Sequence, residues 1–272
     1  MKIKVLRREL RKIVLEANIK LRKDLLSLLN QAEKREKNRL SKKYLKTVIE
    51  NSEYALKEKL PICQDTGLGI VFVELGKGAD FGKKEVEVIK EEVTSVYKDS
   101  GFRNSVVRPF NRTHPKFGPP EVYVEYTNKK GIKISFMAKG FGSENKTKLF
   151  MLNPNEDVTP YVLSAVKAAG PEACPPFVIG IGIGGTSEKA LFLAKKALLE
   201  DLSKQNENSL LNKLEKNLLK QINKLKIGPM GMGGLTTALA VRAKEEKTHI
   251  AGLPLGINIS CWALRSASAV IS

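Results

Sequence analysis

The sequence predicts an α/β fold of the mixed α+β type, in which an N-terminal helical region packs on mixed β-sheets with flanking helices. Three patterns support this class. Apolar residues recur at helical spacing over 5–36 and again over 41–57, which predicts helices across about residues 1–60. A short run rich in β-branched residues over 69–75 predicts a strand. The unbroken apolar run over 177–183 is typical of a strand that is buried on both faces.

The remaining elements follow from the same patterns. Ser41 is the expected N-cap of the second helix, and the turn at Pro61 ends the helical region. Two strand-like runs, 121–126 and 132–137, flank the four turn-forming residues 128–131, and this spacing predicts a β-hairpin. Further helices are predicted over 83–98, 158–169, 187–200, 207–224 and 235–246, and a further strand over 249–259.

The composition is that of a globular chain with a strong positive charge. Its 272 residues are 42% hydrophobic and 28% charged, so the chain can bury a sizeable core as one large domain or two small ones. Because no clean domain boundary appears, we expect residues 1–272 to form a single domain. The net charge of +18 would suit a polyanion such as nucleic acid. However, lysines alternate with glutamates, as over 83–92, and no basic block is interleaved with aromatic residues. We therefore expect a lysine-rich surface, with nucleic-acid binding as the weaker alternative.

Two absences in the sequence bear on the cellular compartment. No apolar run is long enough to cross a membrane, so no membrane span is predicted. The basic residues 1–8 lack the apolar core of a signal peptide. We expect a cytoplasmic protein, in which an odd number of cysteines favours metal binding or catalysis over disulfides.

The three cysteines each lie beside residues that bend the chain. Cys63 is in Pro-Ile-Cys-Gln-Asp-Thr-Gly, Cys174 in Ala-Cys-Pro-Pro and Cys261 in Asn-Ile-Ser-Cys-Trp. Three thiolates from three loops can hold an iron–sulfur cluster and leave one iron without a protein ligand. A zinc site with three cysteine ligands and three unrelated buried thiols remain alternatives.

Three glycine-rich loops are candidate anion sites. The loop 138–147 combines glycines with two lysines, which suits anion binding, although a turn at a strand end has the same composition. The loop 182–187 follows a strand and precedes a helix, and tight strand–helix packing, with Thr186 or Ser187 as N-cap, is favoured there over anion binding. The loop 228–237 fits a packing element and an anion-binding loop equally well.

Three titratable or charged residues qualify as site residues. His249 lies twelve positions before Cys261, and a histidine there suits a general acid or base as well as a structural role. Arg108 suits bidentate binding of a carboxylate, although a surface role is the simpler explanation. His114 lies in a polar loop and is assigned a structural or surface role.

Taken together, these segments resemble the iron–sulfur hydro-lyases, that is, class I fumarase and the related L-tartrate dehydratase. The resemblance runs from about residue 5 to the C-terminus, and its specificity comes from four motifs in the right order. The motifs are Pro61–Gly67, Lys139–Lys146, Ala173–Pro176 with Ile183–Thr186, and Gly228–Gly234. One departure is Phe141, which stands where the family has the middle of three consecutive glycines.

The resemblance implies a [4Fe-4S] cluster and a set of site residues. It implies that the cluster is held by Cys63, Cys174 and Cys261. It implies substrate contacts at Gln64, Arg108 and the backbone of Gly142, and proton transfer at Asp65 and His249. The implied reaction is reversible hydration of fumarate to malate, with the open iron as Lewis acid and L-tartrate dehydration as the alternative.

The resemblance also implies a partner chain. Single-chain members of the family carry a further swivelling domain that closes over the cluster, whereas this chain stops eleven residues after Cys261. We therefore expect an α subunit that needs a β subunit carrying the swivelling domain. The implied assembly is an α2β2 heterotetramer acting on a dicarboxylate.

Overall fold

The computed structural model describes residues 3–271 and confirms the mixed α/β class. The helices are α1 (Ile3–Ile19), α2 (Lys23–Arg35), α3 (Arg39–Glu58), α4 (Lys83–Asp99), α5 (Phe141–Glu144), α6 (Thr159–Ala169), α7 (Ser187–Ala197) and α8 (Ser209–Lys224). The strands are β1 (Leu68–Leu75), β2 (Glu121–Tyr126), β3 (Ile132–Lys139), β4 (Lys148–Leu152), β5 (Phe177–Gly184), β6 (Ala238–Glu246), β7 (Leu253–Ser260) and β8 (Arg265–Ile271). Short 3₁₀ turns occur at Gly170–Ala173 and Pro229–Gly231. No helix within residues 3–271 is long and apolar enough to cross a membrane.

Residue contacts group the described chain into two compact units. The first contains the residues up to Arg22, the segment Ser52–Phe141 and the segment that starts at Arg265. The second contains Lys23–Asn51 and Gly142–Leu264. The single cluster-binding domain expected from the sequence remains a prediction.

The first unit is built on a four-stranded sheet in the order β2-β1-β3-β8. β1 pairs in parallel with β2 and antiparallel with β3, which in turn pairs antiparallel with β8. Helices α1 and α4 pack together, and α1 covers β3 and β8 with apolar residues such as Leu10 and Val14. Arg7 and Arg11 of α1 both bind the buried carboxylate of Glu92 on α4, at 3.0 and 3.1 Å. The expected packing of an N-terminal helix on a sheet is thus present for α1.

The β-hairpin predicted from 121–126 and 132–137 is wrong, because β1 lies between β2 and β3. The connecting loop passes around the end of β1. The N–H of Thr127 donates to the carbonyl of Leu75, and the N–H of Gly76 donates to that of Gly131, at 2.7 and 2.8 Å. β1 is largely apolar and almost entirely buried, so a central position, with strands hydrogen-bonded on both sides, favours it. β2 is mostly exposed, which suits the edge of the sheet.

The second unit is built on a four-stranded sheet in the order β4-β7-β5-β6. β5 is central, parallel to β6 and antiparallel to β7. Helix α7 lies so close to this sheet that a methyl group on Gly180 would be 2.0 Å from the carbonyl oxygen of Ala194, and one on Gly182 would be 2.0 Å from that of Ala190. The glycines of β5 therefore serve strand–helix packing, the favoured interpretation of this segment. Thr186 is the N-cap residue of α7, without a side-chain capping bond.

The helix predicted over 235–246 is wrong, because this segment forms strand β6. Its register pairs Val241 with Ile179 and Ala243 with Ile181 in the central strand β5. Alanine, leucine and lysine favour helices locally, but a short apolar run does not distinguish a buried strand from a helix. Pairing with β5 decides in favour of the strand.

The N-terminal helical region also differs in detail from its prediction. The periodic stretch 5–36 forms two helices, α1 and α2, which are separated at residues 20–22. Ser41 is not the N-cap of α3, since the side-chain oxygen of Asn38 accepts the N–H groups of Leu40 and Ser41 at 3.0 and 3.2 Å. The hydroxyl of Ser41 instead donates to the carbonyl of Gly233 at 2.7 Å.

Candidate active site

The Cys63 loop joins α3 to β1 in the first unit. The N–H of Ile62 donates to the carbonyl of Asn18 at the end of α1, at 2.9 Å. Ile62 is buried, Cys63 is half-buried and Gln64 is exposed. The loop therefore presents the thiol and the carboxamide at its accessible side while its apolar residue anchors it to the core.

Thr66 ties the same loop to α4 and to the segment that follows it. Its carbonyl accepts the hydroxyl of Tyr97 at 2.9 Å, and its hydroxyl accepts the N–H of Arg103 at 3.1 Å. Burial raises the pKa of Tyr97 to about 12, and its ring packs against Phe102 and Phe136 with centroids 5.3 and 6.4 Å apart. Neither Tyr97 nor Arg103 was predicted, because both reach the loop only through the fold.

The carboxylate of Asp65 is held by two backbone donors. Its Oδ1 accepts the N–H of Gly67 at 2.9 Å, and its Oδ2 accepts the N–H of Phe141 at 2.9 Å. Gly67 has φ +74, and a methyl group on it would lie 2.7 Å from the carbonyl carbon of Lys139, so a side chain is excluded there. Asp65 is half-buried, and its orientation is fixed by main-chain groups that no side-chain motion can withdraw.

The glycine loop after β3 begins on the fully buried Lys139 and continues into the short helix α5. The side chain of Phe141 is 48% exposed, and its N–H makes the contact with Asp65. The phenylalanine side chain thus does not prevent this backbone contact. Gly142 is exposed, and the predicted contact between its backbone and a substrate requires this exposure.

In the second unit, the backbone brings the Cys174 and Cys261 loops together. The N–H of Trp262 donates to the carbonyl of Cys174 at 3.3 Å. Cys174 follows the 3₁₀ turn with φ 53 and ψ 67, a left-handed conformation that is uncommon for a residue other than glycine. Such strained residues concentrate at functional sites. Both thiols are half-buried and free of disulfides, as is that of Cys63.

A buried polar network supports the second unit's site loops. The side-chain amide of Asn258, three residues before Cys261, donates to Glu144 at 3.0 Å and to the hydroxyl of Thr147 at 2.9 Å. The ammonium of Lys195 on α7 binds the other carboxylate oxygen of Glu144 at 2.5 Å. β7 and α7 therefore fix the segment that follows Gly142.

The two remaining predicted site residues lie in exposed loops. His249 is exposed in the turn before β7, where its Nδ1 accepts the N–H of Ala251 at 3.2 Å. Arg108 is exposed in the loop between α4 and β2, and no hydrogen bond or ion pair within residues 3–271 joins its side chain to the Cys63 loop. Arg103 is the arginine whose backbone is bound to that loop. The roles of Arg108 and His249 remain predictions.

The three cysteines agree in chemical type with the ligands of an iron–sulfur cluster. None of them forms a disulfide, all are partly accessible and lie in loops, and two of the loops are hydrogen-bonded to each other. Within residues 3–271, no group of three or more His, Cys, Asp or Glu side chains is gathered closely enough to hold a metal ion. The three cysteines thus fit a cluster by residue type and exposure, but not as a group of ligands already gathered around one point.

Comparisons with known proteins cover almost the whole chain. The profile of the fumarate hydratase (fumerase) family matches residues 7–270. The putative L(+)-tartrate dehydratase subunit alpha of Methanocaldococcus jannaschii is 41% identical over 93% of this chain and 92% of its own length. The L(+)-tartrate dehydratase subunit alpha of Escherichia coli (strain K12) is 24% identical over 91% of this chain and 84% of its own.

A third relative is longer. The putative fumarate hydratase class I of Geobacillus stearothermophilus is 29% identical over 93% of this chain, which spans 52% of that protein's length. Since the family profile and the relative at 41% identity both extend over nearly all of the chain, the protein belongs to the fumarate hydratase family of hydro-lyases.

Proposed function

We propose that this chain is the cluster-binding α subunit of a [4Fe-4S]-dependent hydro-lyase that adds water reversibly to a four-carbon dicarboxylate, with fumarate as the first candidate. The observation that carries the proposal is the joined pair of cysteine loops in a chain of this family. The carbonyl of Cys174 accepts the N–H of the residue after Cys261, and Cys174 has a strained backbone.

The proposed ligands of the cluster are Cys63, Cys174 and Cys261. When bound, a cluster with one open iron supplies a Lewis acid that polarises the oxygen atoms of a substrate. Thiolates are the ligands that such clusters require, and a reducing cytoplasm, the proposed location, keeps cysteines from forming disulfides.

The chain's own residues would bind the substrate and transfer protons. Asp65 is the proposed proton-transfer group of the first unit, since two backbone N–H donors fix its carboxylate. The exposed carboxamide of Gln64 and the backbone of Gly142 would orient the dicarboxylate. His249 is proposed as a second proton-transfer group and Arg108 as a carboxylate ligand, both from exposed loops.

The proposal includes a β subunit. Two relatives that align over most of their own length are named α subunits, and the corresponding partner would carry the swivelling domain. An α2β2 heterotetramer is the proposed assembly, with the complete active site formed only when both subunits are present.

L-Tartrate dehydration is the second candidate reaction. The observation in its favour is that the relative at 41% identity is named as a putative tartrate dehydratase subunit. Both reactions remove or add water next to a carboxylate of a four-carbon diacid, so the groups proposed above suit either substrate.

The test is anaerobic reconstitution of the chain with iron and sulfide, followed by assays with and without the co-expressed β subunit. We expect hydration of fumarate or dehydration of L-tartrate by the complex, with little activity from either subunit alone. Inactivity of the cluster-loaded complex on both substrates would refute the proposed reaction. Full activity of this chain alone would refute the subunit assignment.

A further inference from the structure

Arg265 is a buried cation with unused hydrogen-bond donors. It is the first residue of β8, lies in the first unit and is only 2% exposed. Its Nε and Nη1 have no hydrogen-bond partner among residues 3–271. Burial of a charged group without partners is costly, and buried donors in folded proteins are usually satisfied. An anionic ligand would supply the acceptors that the fold does not.

The third nitrogen of this guanidinium lies beside Gly140. A methyl group on Gly140 would lie 3.3 Å from Nη2 of Arg265 and 3.1 Å from Oδ2 of Asp65. Both atoms therefore lie within about one hydrogen-bond length of the same point. Because Gly140 has no side chain, no Cβ occupies the corner between the guanidinium and the fixed carboxylate, where a methyl group would be in tight contact with both.

The charge of Arg265 also acts on Tyr97. Burial is the main reason why the pKa of Tyr97 rises to about 12, while the charge of Arg265 lowers this pKa and that of Asp65 raises it. Tyr97 in turn holds the Cys63 loop through Thr66. Together with the distances at Gly140, this places Arg265 close to Asp65 in the loop that carries Cys63.

Arg242, a second buried arginine, shows what a structural arginine looks like in this protein. It is 7% exposed in the second unit, and its Nη1 binds the carboxylate of Glu215 at 2.9 Å. Its Nη2 donates to the carbonyls of Asp201 and Lys204. Both terminal nitrogens of Arg242 are therefore occupied by protein acceptors and only its Nε lacks a partner among the described residues, whereas Arg265 lacks partners at both Nε and Nη1.

We propose that Arg265 is a substrate-binding residue whose guanidinium binds a carboxylate of the dicarboxylate substrate at the corner beside Gly140. This inference rests on the proposed hydro-lyase function and adds to it a cationic residue on this chain beside Asp65. Guanidinium groups bind carboxylates with charge-assisted hydrogen bonds, which are strongest where water is excluded. A side chain at Gly140 would press against both Nη2 of Arg265 and Oδ2 of Asp65 and so compete with a ligand for this corner.

The test measures binding of succinate, an unreactive four-carbon dicarboxylate, to the cluster-loaded two-subunit enzyme by anaerobic calorimetry. Loss of charge-assisted hydrogen bonds in Arg265→Gln should weaken succinate binding by about ten- to a hundred-fold. Arg265→Lys should lose less affinity than Arg265→Gln. Gly140→Ala, which keeps the charge but fills the corner, should also weaken binding by about ten-fold or more.

The matched control is Arg242→Lys, which should lower the melting temperature but leave the affinity for succinate within about two-fold. Succinate binding by Arg265→Gln and Gly140→Ala at wild-type affinity would overturn the inference. If Arg265→Gln fails to fold, Gly140→Ala alone decides. The proposed function is tested separately by the wild-type enzyme: its inactivity on fumarate and L-tartrate would refute the reaction even if succinate binding depended on Arg265.

Discussion

Replacing Tyr97 by phenylalanine tests whether the Cys63 loop depends on its buried tether. Tyr97 and Thr66 are 2% and 1% exposed, and the Tyr97 hydroxyl donates to the Thr66 carbonyl at 2.9 Å. The substitution removes one oxygen and keeps the ring against Phe102 and Phe136. A buried carbonyl that loses its donor costs about 1–3 kcal/mol. We expect the free energy of unfolding to fall by about 1–2 kcal/mol and the melting temperature by roughly 2–6 °C.

The assay is urea unfolding followed by circular dichroism, together with hydrogen exchange of the loop amides. The N–H of Gly67 should exchange faster in Tyr97→Phe, because the loop loses one of its anchors. Tyr126→Phe is the matched control, since that ring is 85% exposed and its hydroxyl should contribute less than about 0.5 kcal/mol. Equal stability and equal exchange rates for Tyr97→Phe and the wild type would refute the tether.

Three further predictions concern pH and packing. Burial raises the pKa of Tyr97 from 10.0 to about 12, so the stability that the neutral Tyr97 contributes is complete below pH 10 and is lost as pH rises through 12. Titration of the phenolate absorbance checks this shift, and a Tyr97 that titrates near pH 10 would contradict it. Glu215→Leu removes the carboxylate that binds Nη1 of the buried Arg242 and should cost about 3–5 kcal/mol in thermal unfolding. Glu215→Leu with Arg242→Met should recover part of this loss, but not the part due to the Ala243 N–H that Glu215 also accepts; no recovery argues against the pair. Gly182→Ala should abolish soluble expression, because its methyl group would lie 2.0 Å from the backbone of α7. Gly252→Ala is the control and should express normally, because the space around Gly252 is open. Equal expression of the two variants would contradict the close packing of β5 against α7.

The sequence predicted elements best where their periodicity was long and regular. The spacing over 83–98 predicted α4, found over Lys83–Asp99, and the apolar run over 177–183 predicted β5, found over Phe177–Gly184. Each is defined mainly by its own residues. The class of the fold followed from these elements together.

The errors occurred where distant contacts decide the structure. The segment Ala238–Glu246 has the composition of a helix but is held as a strand by β5, whose residues lie about sixty positions earlier. β2 and β3 looked like a hairpin because they are close in sequence, yet β1 takes the place between them. Local patterns carry no information about either insertion.

The residues of the candidate site also fall into two groups, those that a local motif predicted and those that only the structure revealed. The motifs around Cys63, Cys174 and Cys261 stood out because cysteine, proline and glycine are locally distinctive. Tyr97 and Arg265 were not predicted, since neither belongs to a motif. Tyr97 on α4 contacts the Cys63 loop, and Arg265 on β8 lies near Asp65, only because the chain folds these distant segments together. An arginine that is buried and lacks hydrogen-bond acceptors for its donors can be identified only from a structure, which gives both its burial and its hydrogen bonds.

The central claim is that the three cysteines hold one iron–sulfur cluster. The most direct measurement is the iron and acid-labile sulfide content of the anaerobically reconstituted protein, with its absorbance near ~400 nm and a parallel zinc determination. We expect about four iron and about four sulfide per chain in the wild type. Cys63→Ser, Cys174→Ser and Cys261→Ser should each lose this content and the absorbance. A full cluster in Cys174→Ser, or stoichiometric zinc in place of iron in the wild type, would contradict the account.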